Sequence, residues 1–133
     1  MGNDFICPYC KGFLNIEGNI ILSLKAHDGK VGLISLSPEL GNYRKKTNPT
    51  FIPEKGDQTE FFCPVCHSNL AALEFNKNLV KVLMRDDNQA VYEILFSGVE
   101  GEHCTYKIKD HDIESYGESS NQYMNYFGEF PKY

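Results

Sequence analysis

Two short motifs, Cys7-Pro8-Tyr9-Cys10 and Cys63-Pro64-Val65-Cys66, constrain this chain more than any other feature. Two sulfurs separated by two residues can turn toward one point, and a pair of such turns supplies the four thiolates of a closed tetrahedral site. The pattern therefore assigns Cys7, Cys10, Cys63 and Cys66 to one structural zinc per chain. Iron is the less favoured metal, since four thiolates accept either. An odd total of five cysteines, with Cys104 left over, fits a reduced, intracellular metal protein better than a disulfide framework. Residues 11–62 separate the motifs, a span of 52. Relative to a loop of about 15 residues, closing it costs on the order of 1 kcal/mol more. Zinc contributes roughly 10–16 kcal/mol at such sites, so the long spacing does not oppose shared ligation.

The motifs resemble the knuckles of the zinc-ribbon group, which read Cys-Pro-x-Cys and sit in β-hairpin turns. The resemblance covers only the knuckles and their flanks; it implies a ribbon-like core and a structural metal, not an activity. Ribbons usually space their knuckles more closely. Cys-Pro-Tyr-Cys taken alone also matches the glutaredoxin active-site motif, but that chemistry needs a preceding strand and a following helix whose N-terminus lowers the first thiol's pKa. Only six residues precede Cys7, and Lys11-Gly12-Phe13-Leu14 leads into strand-like sequence. His67 directly follows Cys66; with four cysteines present it reads as a polar neighbour rather than a ligand.

Residues 5–36 and 61–96 follow one plan. Phe5-Ile6 and Phe61-Phe62 precede the knuckles, and Leu14 and Leu70 follow at the same offset of 56. After that the register is read as slipping by three, so that Ile20–Lys25 faces Leu79–Met84. Asp28-Gly29 and Asp87-Asn88 then mark hairpin turns in which both positions take positive φ. The alternative is that any two β-hairpins look alike at this level. Between the copies, Pro38 to Glu60 is unusually long for a structureless loop, so it either carries function or hides short strands, of which Thr50-Phe51-Ile52 is the best candidate. Cys104, Tyr106 and Ile108 alternate, predicting a final strand with Cys104 inward. Tyr123, Tyr126, Phe127 and Phe130 recur at helical spacing behind Ser119 and Ser120, predicting a short C-terminal helix with an aromatic stripe. That stripe either docks on the chain's own sheet or forms a partner or homodimer surface.

The expected fold is thus mainly β: a zinc-ribbon-like core with two β-hairpins, an additional strand and a short C-terminal helix. It forms one domain over 1–133, with 11–62 as an insertion and 115–133 as the aromatic helix or tail. Aromatic content of 13% without Trp supports sheet. The start has neither a basic segment nor an apolar core, and no apolar run approaches the ~18 residues of a membrane span, so a soluble cytoplasmic protein is expected.

A formal charge of −5 opposes non-specific nucleic-acid and membrane binding. No Gly-rich phosphate loop, G-x-S-x-G or H-E-x-x-H is present. The leading expectation is a non-enzymatic adaptor or regulatory module that binds another protein. A second reading is a nucleic-acid-associated ribbon using Tyr43, Arg44, Lys45 and Lys46, the sole basic run. A third is a metalloenzyme with a second site among His103, Cys104 and His111. Strand alternation opposes it, because His103 and Cys104 point to opposite faces.

Overall fold

The computed structural model describes residues 3–26, 28–40, 42–47, 56–73, 75, 78–99, 102–109 and 112–117. Ten strands follow in order: β1 (Asp4–Ile6), β2 (Asn15–Ile16), β3 (Asn19–Lys25), β4 (Val31–Leu36) and β5 (Lys45–Thr47). Then come β6 (Glu60–Phe62), β7 (Leu79–Arg85), β8 (Val91–Ser97), β9 (Thr105–Lys109) and β10 (Asp112–Tyr116). They form two five-stranded antiparallel sheets, one ordered β1-β7-β8-β9-β10, the other β2-β3-β4-β5 with β6 also on β3. The chain is mainly β, as expected. No helix occurs among the described residues, none therefore long and apolar enough to cross a membrane. The predicted C-terminal helix and the Thr50–Ile52 strand lie outside them, as does the aromatic stripe.

The two copies are real and have exchanged strands. β1 of the first copy pairs with β7 of the second, Asp4 opposite Arg85, while β6 of the second pairs with β3 of the first, Glu60 opposite Lys25. Glu60 follows Asp4 by 56 and Arg85 follows Lys25 by 60, so the register slips by four rather than three. The shift of 60 holds through the hairpins, where Lys25 faces Val31 and Arg85 faces Val91. It also extends the repeat to β5 and β9, since Ile34 faces Thr47 as Ile94 faces Lys107. Ile20, Leu22 and Leu24 thereby match Val80, Val82 and Met84, and all six are buried.

The turns differ from expectation in the same way in both copies. Ala26 N–H bonds Lys30 O and Gly29 N–H bonds Ala26 O; Asp86 N–H bonds Ala90 O and Gln89 N–H bonds Asp86 O. These are three-residue loops, in which a single residue takes the left-handed conformation. That residue is Gly29 at φ 91° and Gln89 at φ 70°, so only one positive-φ position among the described residues of each turn is used.

The main core lies between the sheets. Phe5, Leu14, Leu22, Ile34, Phe61, Leu70, Val82 and Ile94 are among its members, drawn from both copies. A second cluster, Ala72, Leu79, Leu95, Cys104, Tyr106 and Ile108, covers the other face of the β7-β8-β9 sheet with Phe75 and Ile113. A sheet buried on both faces loses strict alternation, which explains why Ile94 and Leu95 are both buried. Cys104 points inward as its alternation predicts. β10 was not anticipated: Asp112–Tyr116, whose last two residues fall in the expected tail, pairs along β9 and buries little beyond Ile113.

Candidate metal centre

Each knuckle is the turn of a miniature hairpin. β1 returns through Phe13, which bridges Ile6, and β6 returns through Asn69, which bridges Phe62. Within the turn, Lys11 N–H bonds Cys7 O and His67 N–H bonds Cys63 O. Closing it requires a left-handed residue after the second cysteine, and Lys11 (φ 63°) and His67 (φ 68°) occupy that place. His67 is exposed and its contribution is conformational; it is not among the sulfurs' partners.

Because β1 and β6 are exchanged, each knuckle grows from a strand held by the other copy, and the two meet. Sγ of Cys7 lies 3.8 Å from that of Cys66, and Sγ of Cys10 lies 3.8 Å from that of Cys63. All four sulfurs lie within 4.8 Å of one another. A tetrahedron with metal–sulfur bonds of ~2.3 Å has edges of about 3.8 Å, whereas a disulfide would need ~2.05 Å. Among the described residues these are the one set of Cys, His, Asp or Glu side chains so placed. The four cysteines singled out in the sequence are the ones brought together here.

The surroundings suit thiolates. Tyr9 and Cys10 N–H groups approach Cys7 Sγ at 3.3 and 3.5 Å, and Val65 and Cys66 N–H groups approach Cys63 Sγ at 3.3 and 3.4 Å. Gly12 N–H reaches Cys10 Sγ at 3.3 Å. A side chain at Gly12 would crowd Cys10 and Val65, its Cβ falling 3.3 Å from that sulfur. Donors aimed at a sulfur favour its charged form. Pro8 and Pro64 suit the turn's first corner through their fixed φ.

The ligands differ in exposure. Cys7 and Cys63 are wholly buried, Cys66 is half-buried and Cys10 is exposed. Burial pushes the Cys7 thiol up to about 12 despite its N–H partners. The Ser68 hydroxyl, 3.3 Å away, and the Ser68 N–H bring Cys66 down to about 6. At neutral pH the protein without metal therefore offers Cys66 as a thiolate, while a cation must displace the proton of Cys7.

Of the other candidate residues, Tyr43, His103 and Cys104 are engaged within the fold. Tyr43 stacks on His103 with ring centroids 4.7 Å apart and planes 9° from parallel. Its hydroxyl donates to Tyr116 O and accepts from Thr105 Oγ1, both at 3.1 Å. Arg44, Lys45 and Lys46 remain exposed. Cys104 is buried in the second cluster, and burial pushes its thiol up to about 11. His111 lies outside the described residues. His103 and Cys104 belong to no group of three or more metal-ligating side chains among the described residues.

No protein family, curated protein or solved structure matches this chain. The likeness to zinc ribbons accordingly rests on the knuckles and their geometry.

Proposed function

We propose that this chain is a non-enzymatic, cytoplasmic interaction module in which one structural zinc fixes two ribbon-like knuckles and presents them to another protein. The observation that carries this reading is the exposure of apolar side chains on the knuckles. Tyr9, Phe13 and Val65 are 58%, 61% and 60% exposed, on turns anchored by the fully buried Cys7 and Cys63. Rigidly held aromatic and aliphatic groups suit the centre of a protein interface. Four sulfurs complete zinc's tetrahedral shell, leaving no position for the water or substrate that a catalytic zinc requires. The nucleic-acid reading is less well supported, because Tyr43 is already stacked and hydrogen-bonded within the chain.

The test is site-specific photo-crosslinking in cells, with the reactive group at Tyr9 or Val65 and, as control, at Glu114 on the exposed edge strand β10. A discrete protein adduct from the knuckle positions alone is expected. Adducts to nucleic acid, or none from either knuckle, would overturn the proposal. Binding to oligonucleotides at low salt, where phosphate contacts are strongest, should be absent.

A further inference from the structure

The space between the sheets does not fill completely. A cavity of about 430 Å³ opens there, within the range of small-molecule sites, roughly 300–1,000 Å³. None of the four clustered cysteines lines it. Its floor is aliphatic core, where Ile34, Val82 and Ile94 are at most 4% exposed; Leu36 and Leu40 are half-buried and lie toward solvent. Water gains little from an aliphatic surface that offers it no hydrogen bonds.

The mouth is built by the repeat. Glu39 N–H donates to Ser37 Oγ at 3.2 Å, and Val99 N–H donates to Ser97 Oγ at 3.0 Å. Asn42 N–H then bonds Glu39 O as Glu102 N–H bonds Val99 O. The shift of 60 thus continues past the hairpins, and Tyr43 stacks on its own equivalent, His103. Each segment is closed by its own hydrogen bonds, and the ring stack joins the two, which holds them off the aliphatic floor.

The charged groups of the lining favour a neutral occupant. Its acids, Asp28, Glu39, Asp57 and Glu102, outnumber its bases, Arg44 and Lys45, which opposes an anion. All four acids are already engaged within the chain: Asp28 with Lys30, Glu39 with the Asn42 amide, Glu102 with the Ser97 hydroxyl, and Asp57 with a partner of its own. A cation would therefore find no carboxylate waiting for it. No buried side-chain nitrogen or oxygen among the described residues lacks a hydrogen-bond partner, so apolar burial is what the cavity offers a ligand.

We propose that this cavity binds a small, uncharged, predominantly hydrocarbon molecule, held among Ile34, Ile94, Leu36 and Leu40. The site is separate from the metal centre and from the knuckle surface, and the inference stands independently of the interaction-module reading.

The test titrates the full-length, zinc-loaded protein with 1-hexanol, 1-heptanol and 1-octanol, and with octanoate and octyltrimethylammonium as charged probes of the longest chain, following methyl NMR signals. Saturable shifts at Leu36, Leu40 and Ile94 are expected. Affinity should rise about fourfold with each added methylene, the worth of its burial. Both ions should bind about tenfold or more weakly than 1-octanol, since neither gains a partner for its charge. Leu36→Phe, which installs the residue found at the equivalent Phe96, should fill the space and weaken 1-octanol about fivefold or more. Leu33→Phe, on the outer face of β4 where Leu33 is 57% exposed, should leave its affinity unchanged. Zinc content and spectral dispersion report folding of each variant, and Leu40→Phe serves if Leu36→Phe does not fold. No saturable binding, either ion binding as tightly as 1-octanol, shifts confined to the outer face, or affinity indifferent to filling the cavity would overturn the proposal.

Discussion

Replacing Cys10 by Ala separates what the metal contributes from what the sulfur contributes to packing. Cys10 is exposed and packs against little, so its loss removes a ligand and almost nothing else; Cys63 is wholly buried in the core. With free zinc held 1,000-fold above Kd, occupancy adds about 4 kcal/mol of stability. For a chain of this size that is roughly 10–20 °C in Tm. Cys10→Ala should lose that increment, and in chelator it should match chelated wild type to within about 0.5 kcal/mol, as surface changes do. Cys63→Ala should lose the same increment and a further ~1–3 kcal/mol in either condition, since it empties core volume and orphans the Val65 and Cys66 N–H groups. Circular dichroism melts with and without chelator, paired with metal analysis, measure both. A Cys10→Ala protein that retains a zinc-dependent rise in Tm equal to wild type would refute the shared four-sulfur site. So would equal behaviour of the two variants in chelator when both fold.

Three further outcomes are expected. Zinc uptake displaces the proton of Cys7 at any pH below about 12 and that of Cys66 only below about 6. Affinity should therefore fall with falling pH and fall one proton more steeply below pH ~6; a competition titration with no steepening there would contradict the assignment. Gln89→Gly should raise stability by about 0.5–1 kcal/mol, because Gln89 holds the left-handed place that Gly29 fills in the other copy; a lower Tm would refute it. Cys104, whose thiol burial raises to about 11, should resist iodoacetamide at pH 8 in the folded protein and react after denaturation, as mass mapping would show. Native labelling at the rate of a free thiol would place Cys104 outside the core.

Much of the metal centre was legible because it is local: the type, spacing and turn chemistry of each knuckle are written in four consecutive residues. The repeat was legible in outline from Phe5 with Phe61 and Leu14 with Leu70. Its later register was not, because Ile20-Ile21-Leu22 is an unbroken apolar run whose facing cannot be read from period alone. Burial of Ile20 and Leu22 but not Ile21 decides it. Strand exchange is invisible in sequence for a different reason: β1 carries the same local pattern whether it pairs with its own copy's β3 or the other's β7. β10 escaped because Asp112 to Tyr116 lies on an exposed edge, where only Ile113 packs on the core and acids mask the alternation. The role of Tyr43 also escaped, since its partners Thr105 and Tyr116 lie 62 and 73 residues away.

X-ray absorption at the zinc edge of the purified protein, with metal quantified per chain, bears most directly on the clasp between the copies. One zinc surrounded by four sulfurs at ~2.3 Å is the predicted result. Nitrogen or oxygen in the first shell, fewer than four sulfurs, or less than one metal per chain would contradict it.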